Sequence, residues 1–131
     1  MSVTRQEKAL SVTLRVVGVV MIVALWPLTL LWPSGWSWHS GGHSYYLPMI
    51  LGLYATLGAF LLWASRAPLE HLSLIWFTVW SSVVHAGIMA VQAVAGGPET
   101  IGHLGGDVPA LLVVAGVLGV LTTRALRARA R

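Results

Sequence analysis

The sequence predicts an all-α fold: a transmembrane four-helix up-down bundle with both termini cytoplasmic. Three observations predict it. Of the 131 residues, 56% are hydrophobic and only 9% are charged, whereas a soluble domain carries about 25% charged residues. The apolar residues gather in four runs, over residues 16–32, 47–64, 72–95 and 104–123. Each run is close to the roughly 20 residues that cross a hydrocarbon core about 30 Å thick. Finally, all eight Lys and Arg residues fall on one side of such a bundle.

The first run follows Arg5, Lys8 and Arg15 and so has the look of a signal peptide. No small-residue cleavage site follows Trp32, so a retained helix is expected. Residues 2–15 read as a helical extension lying in the interface, with Leu10 and Leu14 on one face. Pro33-Ser34-Gly35 stops the first helix, because proline lacks a donor and glycine frees the backbone.

The second run extends from Leu47 to Ala64 and ends in the turn Ser65-Arg66-Ala67-Pro68. The third extends from Leu72 to Ala95 and ends at Gly96-Gly97-Pro98. The fourth helix is expected to open near Glu99, with Pro98 in its first turn and the carboxylate at its positive pole. Gly102, Gly105, Gly106 and Pro109 weaken those opening turns. Connections this short favour up-down-up-down packing.

Orientation follows from charge. The N-terminal segment, the turn at Arg66 and the C-terminal Arg124, Arg127, Arg129 and Arg131 share one side, and the opposite loops hold no Lys or Arg. That bias marks the cytoplasmic side. Basic residues placed only beside apolar runs contact lipid headgroups, so a nucleic-acid partner is not expected. The chain contains no cysteine, which excludes disulfides, thiolate metal sites and thiol catalysis. Trp26, Trp32, Trp36, Trp38, Tyr45 and Tyr46 gather near one boundary, and Trp63, Trp76 and Trp80 towards the other. They read as interfacial anchors.

The third helix carries two stripes. Ser82, Ala86, Ala90 and Ala93 form a small-residue face on which another helix can approach closely. Ser81, His85 and Gln92 form a polar stripe with Met89 between them. His85 falls near mid-depth, where a polar group is costly unless paired. One reading is a neutral imidazole bonded to Thr56 or a backbone carbonyl. The other is a cofactor site formed by His85, Gln92 and Ser81: an axial ligand to haem or a pigment, a quinone contact or a proton relay.

At the outer surface, His103 and Asp107 are four apart and share a face if helical, and Glu99 extends the row. His39 and His43 lie in the other outer loop. Together these five residues are a candidate divalent-metal site for Zn²⁺ or Cu²⁺. The alternative is a set of polar loop residues, with Asp107 bonding near a helix start. Glu70, beside His71, reads as structural: a carboxylate at a helix N-terminus, four residues after Arg66.

No nucleophile-base-orienter set and no phosphate-cradling loop is visible in the sequence. No catalytic residue is therefore assigned. The first half of the chain has no membrane-buried carboxylate, which argues against small multidrug-type antiporters.

The stretch from Ala64 to His85 and the later run His103 to Leu112, with Trp26-Pro27 and Leu51 to Ala55, resemble a family of small bacterial four-helix membrane proteins of unknown function. The resemblance covers nearly the whole chain. It implies this fold and a bacterial inner-membrane location, and it transfers no catalytic residue. The broader look is similar to DoxX-like proteins, without a specific shared motif.

Three functions are carried forward from the sequence. The first is a non-enzymatic membrane subunit or binding protein that packs on lipid, on copies of itself or within a larger membrane complex. The second is a haem-, pigment-, quinone- or metal-binding component of an electron-transfer or oxidative complex. The third is an oligomeric transporter or channel.

Overall fold

The computed structural model describes residues 4–38 and 44–130. The secondary structure of these residues is helical throughout: α1 (Arg5–Val23), α2 (Leu25–Leu31), α3 (Pro33–Trp36), α4 (Tyr46–Ala64), α5 (Leu72–Ala95) and α6 (Asp107–Arg129). Short 3-10 turns lie at Pro68–Glu70 and Ile101–Leu104. Among the described residues, α4, α5 and the stretch Ile101–Arg129 are long and apolar enough to cross a membrane, and α1 with α2 makes a fourth such stretch, bent by 53°. His39 and His43 lie outside the described residues.

The first helix starts earlier than its apolar run. Thr4 Oγ1 accepts the Glu7 N–H at 3.2 Å and caps α1, whose first turn places Glu7 at its positive pole. Leu10, Leu14, Gly18 and Met21 then form one buried stripe. Leu10 and Leu14 are wholly buried in a core with Leu61, Ile75 and Leu118. The segment expected in the interface is thus continuous with the first span and packs inside the bundle.

The bend between α1 and α2 comes from Pro27. Proline offers no N–H to the Val23 carbonyl, and its ring collides with that carbonyl in a straight helix. The ladder breaks at Ala24 and resumes with Leu28 N–H bonded to Ala24 O at 3.1 Å.

α1 is central. It packs along α4 on one side and α6 on the other, and α6 packs on α5. α4 and α5, consecutive along the chain, scarcely touch. The α1–α4 crossing is the tightest of these contacts. A Cβ on Gly18 would fall 2.7 Å from Gly58 O, and one on Gly58 would fall 2.6 Å from Gly18 O. The small-residue stripe of α5 faces α6 within the same chain: Ser82, Ala86 and Ala93 are buried, and Ala86 clusters with Val108 and Leu111.

The α5–α6 connection differs from expectation. Gly97 takes φ +82° just past the end of α5, and Thr100 Oγ1 donates to Ala93 O at 3.0 Å, satisfying an orphan carbonyl. Pro98 and Glu99 therefore lie in a turn rather than in the fourth helix. α6 opens only after Gly105-Gly106, the weakest helix formers in that stretch short of proline. Pro109 occupies its first turn, where no N–H partner is required. At the other end, Ser11 Oγ donates to Ser65 O at 2.5 Å and Arg15 Nε to Ser65 Oγ at 3.3 Å, tying α1 to the end of α4. Arg66 and Glu70 form no ion pair; among the described residues the ion pair present is His103–Asp107.

The glycine crossing yields a prediction. Gly18→Ala and Gly58→Ala should each destabilise the protein by about 1–3 kcal/mol through overpacking. Gly87→Ala, with open space around it, should be neutral or slightly stabilising. Unfolding titrations in mixed detergent check this, and equal behaviour of the three variants would refute the crossing.

Candidate functional site

One end of the bundle is built on a close approach of α3 to the start of α6. A Cβ on Gly102 would fall 2.5 Å from Ser34 O, and one on Gly106 would overlap the Gly35 carbonyl. Only glycine lets these backbones meet. The approach lays the Trp38 ring on His103, with centroids 3.9 Å apart and planes 22° apart.

Asp107 joins the two rings. Trp38 Nε1 donates to Asp107 Oδ2 at 2.8 Å, and His103 Nδ1 lies 2.9 Å from the same oxygen. His103 is 1% exposed and Asp107 7%. An ionised carboxylate only accepts, so Nδ1 is the nitrogen that carries the hydrogen in that bond. The pairing expected from a shared helix face is therefore present, although the chain between the two residues is a 3-10 turn followed by two glycines. Glu99 is exposed in the preceding turn and does not join them. Among the described residues no three or more metal-ligating side chains converge.

A second polar pair bridges the gap between α4 and α5. Tyr54 Oη lies 2.7 Å from His85 Nδ1, and the rings are nearly parallel at 17° with centroids 5.9 Å apart. The partner of His85 is thus Tyr54 and not Thr56, whose hydroxyl bonds back to Gly52 O at 2.9 Å within its own helix. Ser81 Oγ bonds Thr78 O at 3.3 Å, and Gln92 is exposed.

A cavity of about 830 Å³ separates α1, α4, α5 and α6. Ligand pockets span about 300–1,000 Å³. Its walls are apolar: Val16, Val20 and Met21 from α1, Ile50 and Leu53 from α4, and Leu111 and Val114 from α6. Tyr54, His85, Trp36, Trp38 and Asp107 also line it, and among the described residues no Lys or Arg does. Of the three residues in the expected cofactor stripe, His85 lines the cavity and Ser81 and Gln92 do not; Met89, between them, takes their place. A rise of 1.5 Å per residue sets Gln92 about 10 Å along α5 from His85, too far to share its surroundings.

Two lining residues carry a buried polar atom without a protein partner: Trp36 Nε1, a donor, and Asp107 Oδ1, an acceptor. Buried polar groups are paired in the great majority of cases, so these two atoms are exceptions. Sequence reasoning placed Trp36 and Trp38 in the interfacial belt and assigned no role to Tyr54. The available signal was the pair Gly102 and Gly106, one turn apart, opposite Gly35 in the other outer segment.

The chain belongs to the family of unknown function DUF6632, whose model matches residues 4–130. No curated protein and no solved structure matches it.

The shared carboxylate sets an order of costs. Trp38→Phe keeps the ring stack and removes one hydrogen bond, and should cost about 1–2 kcal/mol. Asp107→Ala strands both ring donors and should cost about 3 kcal/mol or more. Detergent unfolding curves check the order, and a smaller loss for Asp107→Ala than for Trp38→Phe would remove the carboxylate from the centre of the network.

Proposed function

We propose that this chain is a multi-pass protein of the bacterial inner membrane that binds a lipid-soluble molecule in its central cavity, without catalysing a reaction on it. The observation that carries the reading is an 830 Å³ apolar cavity whose lining residues include two with unpartnered buried polar atoms. An apolar pocket with a few convergent polar groups is the form that small-molecule sites take.

The transmembrane reading rests on four apolar stretches, one of them bent. Large apolar side chains stand exposed along them, Val23, Phe60, Phe77, Val91 and Val113 among others. Lipid is the solvent that accepts such a surface. The eight basic residues occupy the start of α1, the turn at Arg66 and the end of α6 with its tail, which orients those parts to the cytoplasm. The up-down topology with both termini inside belongs to the same proposal.

Self-association loses its original support. The α5 stripe that motivated it is covered by α6 of the same chain. The cavity supports a ligand instead, and the lipid phase is where such a ligand resides. A haem, pigment or metal site rests on less, because His85 and the His103–Asp107 pair each stand without a third ligating side chain among the described residues.

Diphenylhexatriene, a fluorescent apolar probe, should bind purified protein in maltoside micelles with saturable, one-to-one stoichiometry. Ala110→Trp places a large ring in the cavity lining and should abolish that binding while the unfolding midpoint is kept. Equal probe binding by the variant would overturn the reading. Topology is tested separately: the chain has no cysteine, so single cysteines at Ser37 and Ala130 should label from opposite sides of the membrane.

A further inference from the structure

We infer that the cavity takes an uncharged, lipid-soluble carbonyl compound, held by a hydrogen bond from the Tyr54–His85 pair to the carbonyl oxygen. The inference rests on the ligand-binding reading and names the class of ligand.

A count of hydrogens at the pair leaves one over. Tyr54 Oη and His85 Nδ1 meet at 2.7 Å, and neither side chain makes a second hydrogen bond among the described residues. With the phenol O–H donating, a neutral ring carries its own hydrogen on Nε2. With Nδ1–H donating, the phenol hydrogen is left over instead. A protonated ring leaves both. In every case the pair holds a donor that has no acceptor.

A ligand in the cavity can reach that pair. Both rings line the cavity, and both are half-buried rather than enclosed. His85 Nε2 has no protein partner, yet it is not sealed as Trp36 Nε1, Asp107 Oδ1 and Thr122 Oγ1 are. It therefore keeps accessible surface.

His85 stands near the middle of α5. On the transmembrane reading water is absent at that depth, and hydrocarbon offers no acceptor. An unpaired donor there is costly, so a molecule that brings an acceptor from the lipid phase supplies what the pair lacks. A carbonyl oxygen accepts without bringing a donor that needs a partner in turn. Charge works against a carboxylate. Among the described residues no Lys or Arg lines the cavity, and an unpaired ion in apolar surroundings is costly. A membrane offers two sources of such a carbonyl, a quinone and the ester of an acyl lipid.

The test is displacement of diphenylhexatriene from the full chain in maltoside by matched probes. Methyl hexadecanoate is compared with octadecane, of the same chain length, and decylbenzoquinone with decylbenzene. The carbonyl member of at least one pair should compete about fivefold better than its hydrocarbon. The pair that shows the preference identifies the ester or the quinone as the source. The double variant Tyr54→Phe/His85→Leu removes every donor at the site and replaces both partners by apolar groups, a change close to neutral for stability. It should still bind diphenylhexatriene and should lose the carbonyl preference.

If diphenylhexatriene does not bind the unaltered chain, the ligand-binding reading falls. If it binds but neither carbonyl probe outcompetes its hydrocarbon, or the double variant keeps the preference, the carbonyl assignment is wrong and the ligand-binding reading stands. The ranking on the unaltered chain decides the ligand class even where the variant fails to fold.

Discussion

One oxygen, Asp107 Oδ2, takes hydrogen bonds from the Trp38 indole and the His103 imidazole, and much of that end of the molecule is arranged to make it possible. A carboxylate 7% exposed loses its hydration and has to be repaid by donors. One donor comes from the residues after α3, the other from the turn before α6. They reach the same atom only because α3 lies backbone to backbone on that turn, at Ser34, Gly35, Gly102 and Gly106. α3 in turn is carried there by the bend at Pro27, which turns α2 away from the axis of α1. A proline, four residues of close glycine contact and one carboxylate thus form a single chain of dependence.

The same bend accounts for the cavity. α1 and α4 are locked at Gly18 and Gly58, where a side chain on either residue would strike the other backbone. Past that crossing α1 ends and α2 departs, so the first half of α4, residues 46–54, has no continuous helix laid along it. α5 does not close the space, because it packs on α6 and meets α4 chiefly through the Tyr54–His85 contact. A void bounded by four helices is what remains. Its polar residues include the ones the bend and the glycines deliver, Trp36, Trp38 and Asp107, and the bridging pair Tyr54 and His85.

The lengths of α4 and α5 were legible in the sequence, since turn residues bracket uninterrupted apolar runs: Leu72 and Ala95 bound α5 as expected, and α4 starts one residue early at Tyr46. The helical extension ahead of the first run and its Leu10–Leu14 face were legible too, but its burial was not, because the polar residues between Arg5 and Arg15 make the segment read as interfacial. The bend at Pro27 follows from proline chemistry, yet the apolar run continues through it without a change in composition. In the site, the His103–Asp107 pair was visible from spacing alone. Tyr54 was not, because helical periodicity fixes which residues share a face and says nothing about which helix stands opposite. Trp36 and Trp38 satisfy every criterion for interfacial anchors. Their inward placement depends on contacts between segments about 70 residues apart, beyond the reach of local pattern.

In a bilayer the association of helices gains nothing from burying apolar surface, because lipid tails are as apolar as the side chains they replace. Close glycine packing and interhelical hydrogen bonds must then do what a hydrophobic core does in water. In this chain two of the polar contacts between distant segments, Tyr54–His85 and Trp38–Asp107, border the cavity. Filling the cavity therefore adds contacts at the very places that hold α3, α4, α5 and α6 together. A molecule that binds only the folded arrangement stabilises it by mass action, so occupancy and fold are linked here through shared atoms. On the proposed reading the cavity is not an ornament on a finished bundle. A ligand taken from the surrounding lipid fills the space between the helices that those contacts join.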